Sequence, residues 1–326
     1  MPITNPEQRL EGALAFLRQS AVRNFQAQAH ARSILRHLSV PPEDLPAFSA
    51  DIDQGVHYAA YYLLWTSLEL LEAGMATDSV MPLLEAAAER LEFLAGDPRY
   101  DSDVQLEQLV SASFAYYLSG HFARSYVLLR EGIPEERPLP PALGLLTAVL
   151  RKQLREARDI TVALFKRRDW RDAGVSRDLA AGTLGKDDAF DCILFALASQ
   201  AVSYFLEFPK NGNATLLQSA IAILDDAILI AREGRFVDWW WWLFCLRFLI
   251  RDFGEASLWT KLRPSMDGNG TERAIGEFIK AGLRRSPPLL ELWPSQSHAL
   301  EKVFSPDRDD FCLKMPTSSG KRGSLS

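Results

Sequence analysis

Apolar side chains return every three or four positions through most of this chain, and before residue 310 no run alternates apolar with polar residues. A half-buried strand needs a two-residue period, so this pattern leaves only helices to bury helices. Prolines and glycines cut it into pieces. The spacing predicts a helix over 7–38, carrying Leu10, Leu14, Leu17, Phe25, Ile34 and Leu35 and broken by Pro41-Pro42. A second runs over 51–73 and ends at Gly74 in the manner of a C-cap. It is apolar almost all round (Tyr58, Tyr61, Leu63, Leu64, Leu68, Leu71), which predicts a central position. A third covers 78–94, with Asp78 or Ser79 as its cap, and stops at Gly96-Asp97-Pro98.

Residues 101–131 read as a helical hairpin: helix over 103–119, a turn at Gly120-His121, and helix over 122–131. The string from Ala115 to Tyr126 resembles the inner part of a tetratricopeptide hairpin. Small residues at Ala115 and Ser125 let two helices approach, and Phe122 fills the groove. No 34-residue period is sustained, so the chain is not an array. After a proline-rich connection at 134–141, helices are predicted over 141–166, 188–207, 213–233, 236–253 and 270–283. The polar stretch 166–188, with Gly174, Gly182 and Gly185, is the best internal linker, so the helical region of 1–285 subdivides near 167–187.

With 326 residues, 48 % apolar and 24 % charged, the chain can bury a sizeable core. A net charge of −6 argues against a basic nucleic-acid-binding face over the whole chain. The cations Arg151, Lys152, Arg155, Arg158, Lys166, Arg167, Arg168 and Arg171 cluster, but Glu156, Asp159, Asp169 and Asp172 interleave. A solvated helix face is the plainer reading; any nucleic-acid contact on the helical region belongs there first. Trp239 to Trp242 cannot form one flat stacking platform, because successive helical residues point about 100° apart, so they read as packing residues. Cys192, Cys245 and Cys312 show no paired spacing and read as free thiols of a reducing cytosol. His57 and His121 read as capping or satisfied imidazoles, His298 as solvent-facing, and Asp225-Asp226 as a solvated acidic pair. The opening residues lack a basic start and an apolar core, so no signal peptide is expected. The membrane-like stretch is 236–250, interrupted by Asp238 and Arg247 and shorter than the roughly twenty residues a span needs. The expectation is a soluble, cytoplasmic protein.

Past residue 285 the character changes. An apolar run, 311–315, leads into Pro316-Thr317-Ser318-Ser319-Gly320-Lys321. A strand feeding a small-residue loop that ends in Gly-Lys is how phosphate cradles are built. Backbone N–H groups converge on the anion, glycine allows close approach, and the lysine reaches the β- and γ-phosphates. About one helix earlier stands Leu292-Trp293-Pro294-Ser295-Gln296.

Together these two elements resemble the opening of a superfamily 2 DEAD/DEAH-box helicase motor, over about residues 290–321. In that family a Pro-x-Gln element reads the adenine edge, and a loop of the type Met-Pro-Thr-x-x-Gly-Lys-Thr wraps the phosphates. The resemblance implies that Gln296 contacts adenine and that Thr317, Ser318, Ser319, Gly320 and Lys321 form the phosphate loop. The complete parent enzyme would use ATP and Mg and act on nucleic acid. The fold expected is therefore all-α over 1–285, a helical stack with tetratricopeptide-like hairpins, then a truncated first strand and P-loop of an α/β motor domain over 286–321, with 322–326 unrelated.

This sequence departs from the family at Arg322, where a magnesium-ligating Thr or Ser is required. No Asp-Glu pair or arginine finger follows Lys321. The expectation is an N-terminal piece of a helicase, as a frameshift or early stop would produce, with no ATP turnover of its own. Its helical region would load substrate or bind a protein partner. The competing expectation is a non-enzymatic helical-repeat interaction scaffold whose Gly-Lys tail is accidental.

Overall fold

The computed structural model describes residues 5–97, 99–134, 137–166, 186–262, 269–285, 288–292 and 296. Among the described residues the protein is all-α, with one isolated antiparallel bridge between Ser257 and Glu291. The expected motor strand at 311–315, the phosphate loop and the 167–185 part of the linker lie outside the described residues. The chain divides into two compact units, Met1–Arg137 and Pro138–Ser326, at the proline-rich connection.

The first unit holds α1 (Pro6–Arg18), α2 (Ser20–His37), α3 (Ile52–Glu72), α4 (Thr77–Ala95), α5 (Ser102–Leu118) and α6 (Phe122–Gly132). The single helix expected over 7–38 is two. Gln19 takes an extended ψ of 136° and breaks the hydrogen-bond ladder without any proline or glycine to signal it. Helices α3, α4, α5 and α6 pack in chain order, each on the next. Alanines at the contacts (Ala60, Ala87, Ala88, Ala112) are buried and let the axes approach. Helix α5 is more continuously buried than α3, since every residue from Leu109 to Leu118 is buried, while Tyr58 of α3 stays 62 % exposed. Neither Asp78 nor Ser79 caps α4; its N-cap is Ala76, with no side-chain bond.

The hairpin at 101–131 forms as expected. Gly120 takes φ +80°, which a side chain would oppose. Its N–H donates to Tyr117 O, and that of His121 to Tyr116 O, closing the helix end in a Schellman pattern. Ala115 and Ser125 are buried, and half-buried Phe122 meets the Tyr117 ring edge-on with centroids 5.0 Å apart.

The second unit holds α7 (Pro141–Leu150), α8 (Leu154–Lys166), α9 (Lys186–Asn211), α10 (Ala214–Glu233), α11 (Val237–Ala256), α12 (Leu258–Leu262) and α13 (Asn269–Leu283). Helix α7 is buried at every position from Ala142 to Leu150 and packs on α8 and α11. The helix expected over 141–166 is broken at Lys152, which adopts φ +58°. Helix α9 runs past the expected stop, through Pro209 to Asn211. That proline lies in the last turn, where its carbonyl accepts from Trp259 Nε1 at 2.8 Å. Among the described residues, Ala189–Asn211 and Ala214–Glu233 are long and apolar enough to cross a membrane by length and composition, and 236–250 is not the most apolar stretch. Half of the first window is buried inside the fold, against 22 % of the second.

The tryptophan run packs as its sequence implies. Trp242 is buried, Trp240 stacks on Phe244, and neighbouring indoles are tilted by 44° and 59°. Trp239 Nε1 donates to Asp191 at 2.6 Å.

Candidate functional site

Of the residues assigned to a nucleotide pocket, Gln296 is described, in helical conformation and half-buried; Thr317, Ser318, Ser319, Gly320 and Lys321 lie outside the described residues. The structure does show how the chain enters this segment. Residues 288–292 run extended against the second unit. Leu289 N–H donates to Gly282 O at 3.0 Å, Leu292 N–H to Ala256 O at 3.0 Å, and Leu258 N–H to Leu290 O at 3.4 Å. Leu289 and Leu292 pack on a small core of Leu258, Leu262 and Ile279. A methyl on Gly282 would stand 3.3 Å from Leu289 O, so the strand-like segment lies close on the end of α13.

Glu291 of this segment has no exposed side-chain surface, and its carboxylate is paired with Lys152 Nζ. A buried carboxylate is tolerated only when paired, so this contact selects one seating of the segment. Lys152 reaches it from a left-handed backbone position, in the tight turn where Lys152 N–H donates to Val149 O and Gln153 N–H to Ala148 O. That position normally favours glycine or asparagine, since a Cβ there is disfavoured by roughly 1–2 kcal/mol. Sequence reasoning missed this pair. The partners stand 139 positions apart, and nothing in Pro288-Leu289-Leu290-Glu291 marks one carboxylate as buried.

The cation cluster over 151–171 separates into parts. Lys152 is used in the pair just described. Arg155 and Arg158 are exposed and make no ion pair among the described residues. They stand on one wall of a cleft of about 350 Å³ between α8, α9 and the end of α13, opposite Lys210. Lys210 Nζ contacts Glu207 at 2.5 Å on the same rim. Arg167, Arg168 and Arg171 lie outside the described residues.

A second charge cluster, in the first unit, is closed on itself. Asp97, with no exposed side-chain surface, pairs with Arg32 at 3.1 Å, Arg36 at 3.0 Å and Arg99 at 2.8 Å. Asp53 pairs with Arg32 and, at 2.7 Å, with Arg99. Burial alone would raise the Asp97 carboxyl. Hydrogen bonds from the Arg99 side chain and backbone and from Arg36 outweigh it and hold the group down to about 2. Every member is spoken for, and the small cavity beside it, about 40 Å³, is near the size of a water site.

The tempting residues take bland roles. His121 is exposed and bonded to Glu85 at 2.7 Å, and His57 leans on Tyr61. Asp225 pairs with Arg247 at 2.8 Å, and burial pushes the Cys245 thiol well up. His298 and Cys312 lie outside the described residues. Among the described residues no group of three His, Cys, Asp or Glu could hold a metal.

No family model matches the chain. A curated relative carries information on almost its whole length. The chain is similar to the Hachiman protein HamB of Bacillus cereus. They are 24 % identical over 303 residues, which is 92 % of this chain and 25 % of that protein. The chain thus spans about a quarter of the length of the curated relative it matches.

Proposed function

We propose that this chain is the helical accessory region of a cytoplasmic, ATP-dependent superfamily 2 helicase, together with the opening of its motor, and that the parent protein serves in bacterial defence. The observation that carries the reading is the pairing of Leu292-Trp293-Pro294-Ser295-Gln296 with Met315-Pro316-Thr317-Ser318-Ser319-Gly320-Lys321 at family spacing. The similarity to HamB adds support in one respect. About three quarters of that protein lies outside the match, which leaves room for both lobes of a motor.

In the complete parent, ATP would bridge two lobes, with Gln296 on adenine and the Gly320-Lys321 turn on the phosphates. This chain's contribution would be to hold the first of these elements. Residues 288–292, four positions before Gln296, are fixed to the second unit by backbone bonds and the Glu291–Lys152 pair. A motion of that unit would therefore be felt where adenine is read. Arg322 stands directly after Lys321, where the family needs a Thr or Ser hydroxyl to hold Mg, so these 326 residues are not expected to turn over ATP by themselves. A cytoplasmic setting fits α10, whose Asp225-Asp226 would lie mid-bilayer in a spanning helix, an expensive place for carboxylates.

The test is genetic and then calorimetric. Sequencing past the Lys321 codon should reveal, in one frame, Thr after Gly-Lys and an Asp-Glu element further on. The 326-residue chain should bind ATP weakly, if at all, by titration calorimetry. A locus encoding no motor in any frame overturns the helicase reading, and micromolar nucleotide affinity overturns the inactivity of this chain.

The scaffold alternative is favoured by a groove of about 530 Å³ in the first unit, beside the α5–α6 hairpin, lined by Phe93, Leu109 and Leu128 with His30 and Arg137 at its rim. The same sequencing decides between the two.

A further inference from the structure

We propose that the cleft between α8, α9 and the end of α13 takes the sugar–phosphate backbone of a single nucleic-acid strand. This rests on the helicase reading and names a contact for its substrate on the helical region, outside the motor.

Charge is the first support. In a chain of net charge −6, Arg155 and Arg158 project from one face of α8 without an ion-pair partner among the described residues. Residues three apart on a helix are neighbours, about 5–6 Å between Cβ atoms, so the two guanidiniums can engage one strand side by side. Each guanidinium offers a planar fork of donors that suits a phosphate. Lys210, on α9 across the cleft, adds a third cation, at present shared with Glu207. The second support is the lining. Leu154, Val162, Leu206 and Leu283 give an apolar floor, and no aromatic ring stands among the described lining residues. Stacked bases need aromatic faces. The site therefore grips phosphates and sugars and carries no base preference.

Its place in the fold gives the contact a consequence. Leu154 follows two residues after Lys152, which holds Glu291. Leu283 follows Gly282, whose carbonyl accepts from Leu289. The cleft and the segment leading to Gln296 are thus built on the same short elements. A strand seated in the cleft bears directly on the approach to the adenine-reading residue.

The experiment uses the full 326-residue chain and a short fluorescein-labelled oligodeoxythymidine, read by anisotropy across a salt series. The wild type should bind at low salt. The double variant R155E/R158E should lose at least about tenfold in affinity, and the slope of log affinity against log salt should shrink by roughly one to two. Glu207→Gln, which releases Lys210, should tighten binding a few-fold. Arg232→Glu, on α10 and paired with Glu233, should change nothing. Both arginines are exposed, so charge reversal leaves packing intact, and circular dichroism should confirm it. A wild-type chain that ignores the oligonucleotide, a double variant that binds like wild type, or a Glu207→Gln variant that weakens binding overturns the proposal. So does equal competition by polyglutamate or by phosphatidylserine vesicles, which would make the cleft a general anion surface. None of these outcomes touches the motor, so sequencing past Lys321 still judges the helicase reading separately.

Discussion

The two units of this chain handle buried charge in opposite ways. The first gathers three arginines and two aspartates into one network, with Asp97 at its centre and four of its ion pairs made within 2.7–3.1 Å. Among the described residues, the second seats the buried Glu291 carboxylate on Lys152, a residue 139 positions away in the chain. A network shares its desolvation over many hydrogen bonds and can lose one partner gradually. In a buried pair, removing either charge leaves the other uncompensated in a place that water does not reach. The first unit's charges therefore tie α2 and α3 to Asp97 and Arg99, whereas the second unit's pair acts as a latch on one extended segment.

Four measurements would break or sharpen that contrast. The largest effect should come from the first unit's apolar centre. Phe114→Ala, at a fully buried position of α5, should lower unfolding free energy by about 3–5 kcal/mol in a denaturant titration. A smaller loss there would mean that the charge network, and not α5, carries the unit. Next comes the latch. Lys152→Met should destabilise the second unit by about 3 kcal/mol, and adding Glu291→Leu should restore most of it. Tryptophan emission reports this unit selectively, because every tryptophan except Trp65 belongs to it. A double variant no better than the single would show that the two residues are not coupled.

Third is acid. The Asp97 carboxyl is depressed from 3.8 to about 2, so its contribution is fully present above about pH 4 and is lost as pH falls through about 2. That amounts to about 2 kcal/mol. Asp97→Asn should flatten stability between pH 4 and pH 2; an unchanged acid limb would place the sensitive carboxylate elsewhere. The smallest is a cap. Asn213 accepts from Thr215 N–H at 3.0 Å, and Asn213→Ala should cost about 1 kcal/mol, read as a lower thermal midpoint.

Much of the helical layout was legible in the residues. The Gly120-His121 turn, the small contacts at Ala115 and Ser125, and the end of a helix before Gly74 are local events, decided by sterics within a few positions. The breaks at Gln19 and Lys152 were not legible, because both residues are good helix formers and only the packing around them decides their backbone. Pro209 misled for a related reason. A proline usually ends a helix, and here α9 continues only two residues past it, to Asn211, with the Pro209 carbonyl taken up by Trp259 Nε1. The candidate site was legible as a motif alone: of its six residues, the structure describes Gln296, and nothing local to residues 288–292 marks the latch that leads to it.

Periodicity and punctuation by themselves determined that this chain is helical and where most of its helices begin and end. Only the tertiary structure decided that α5 is buried without a break from Gln108 to Leu118, that Arg155 and Arg158 face a cleft, and that Glu291 is buried on Lys152. The reason is range. Helix formation is settled by neighbours three or four residues away, whereas burying a charge depends on a partner that the fold brings from more than a hundred positions distant.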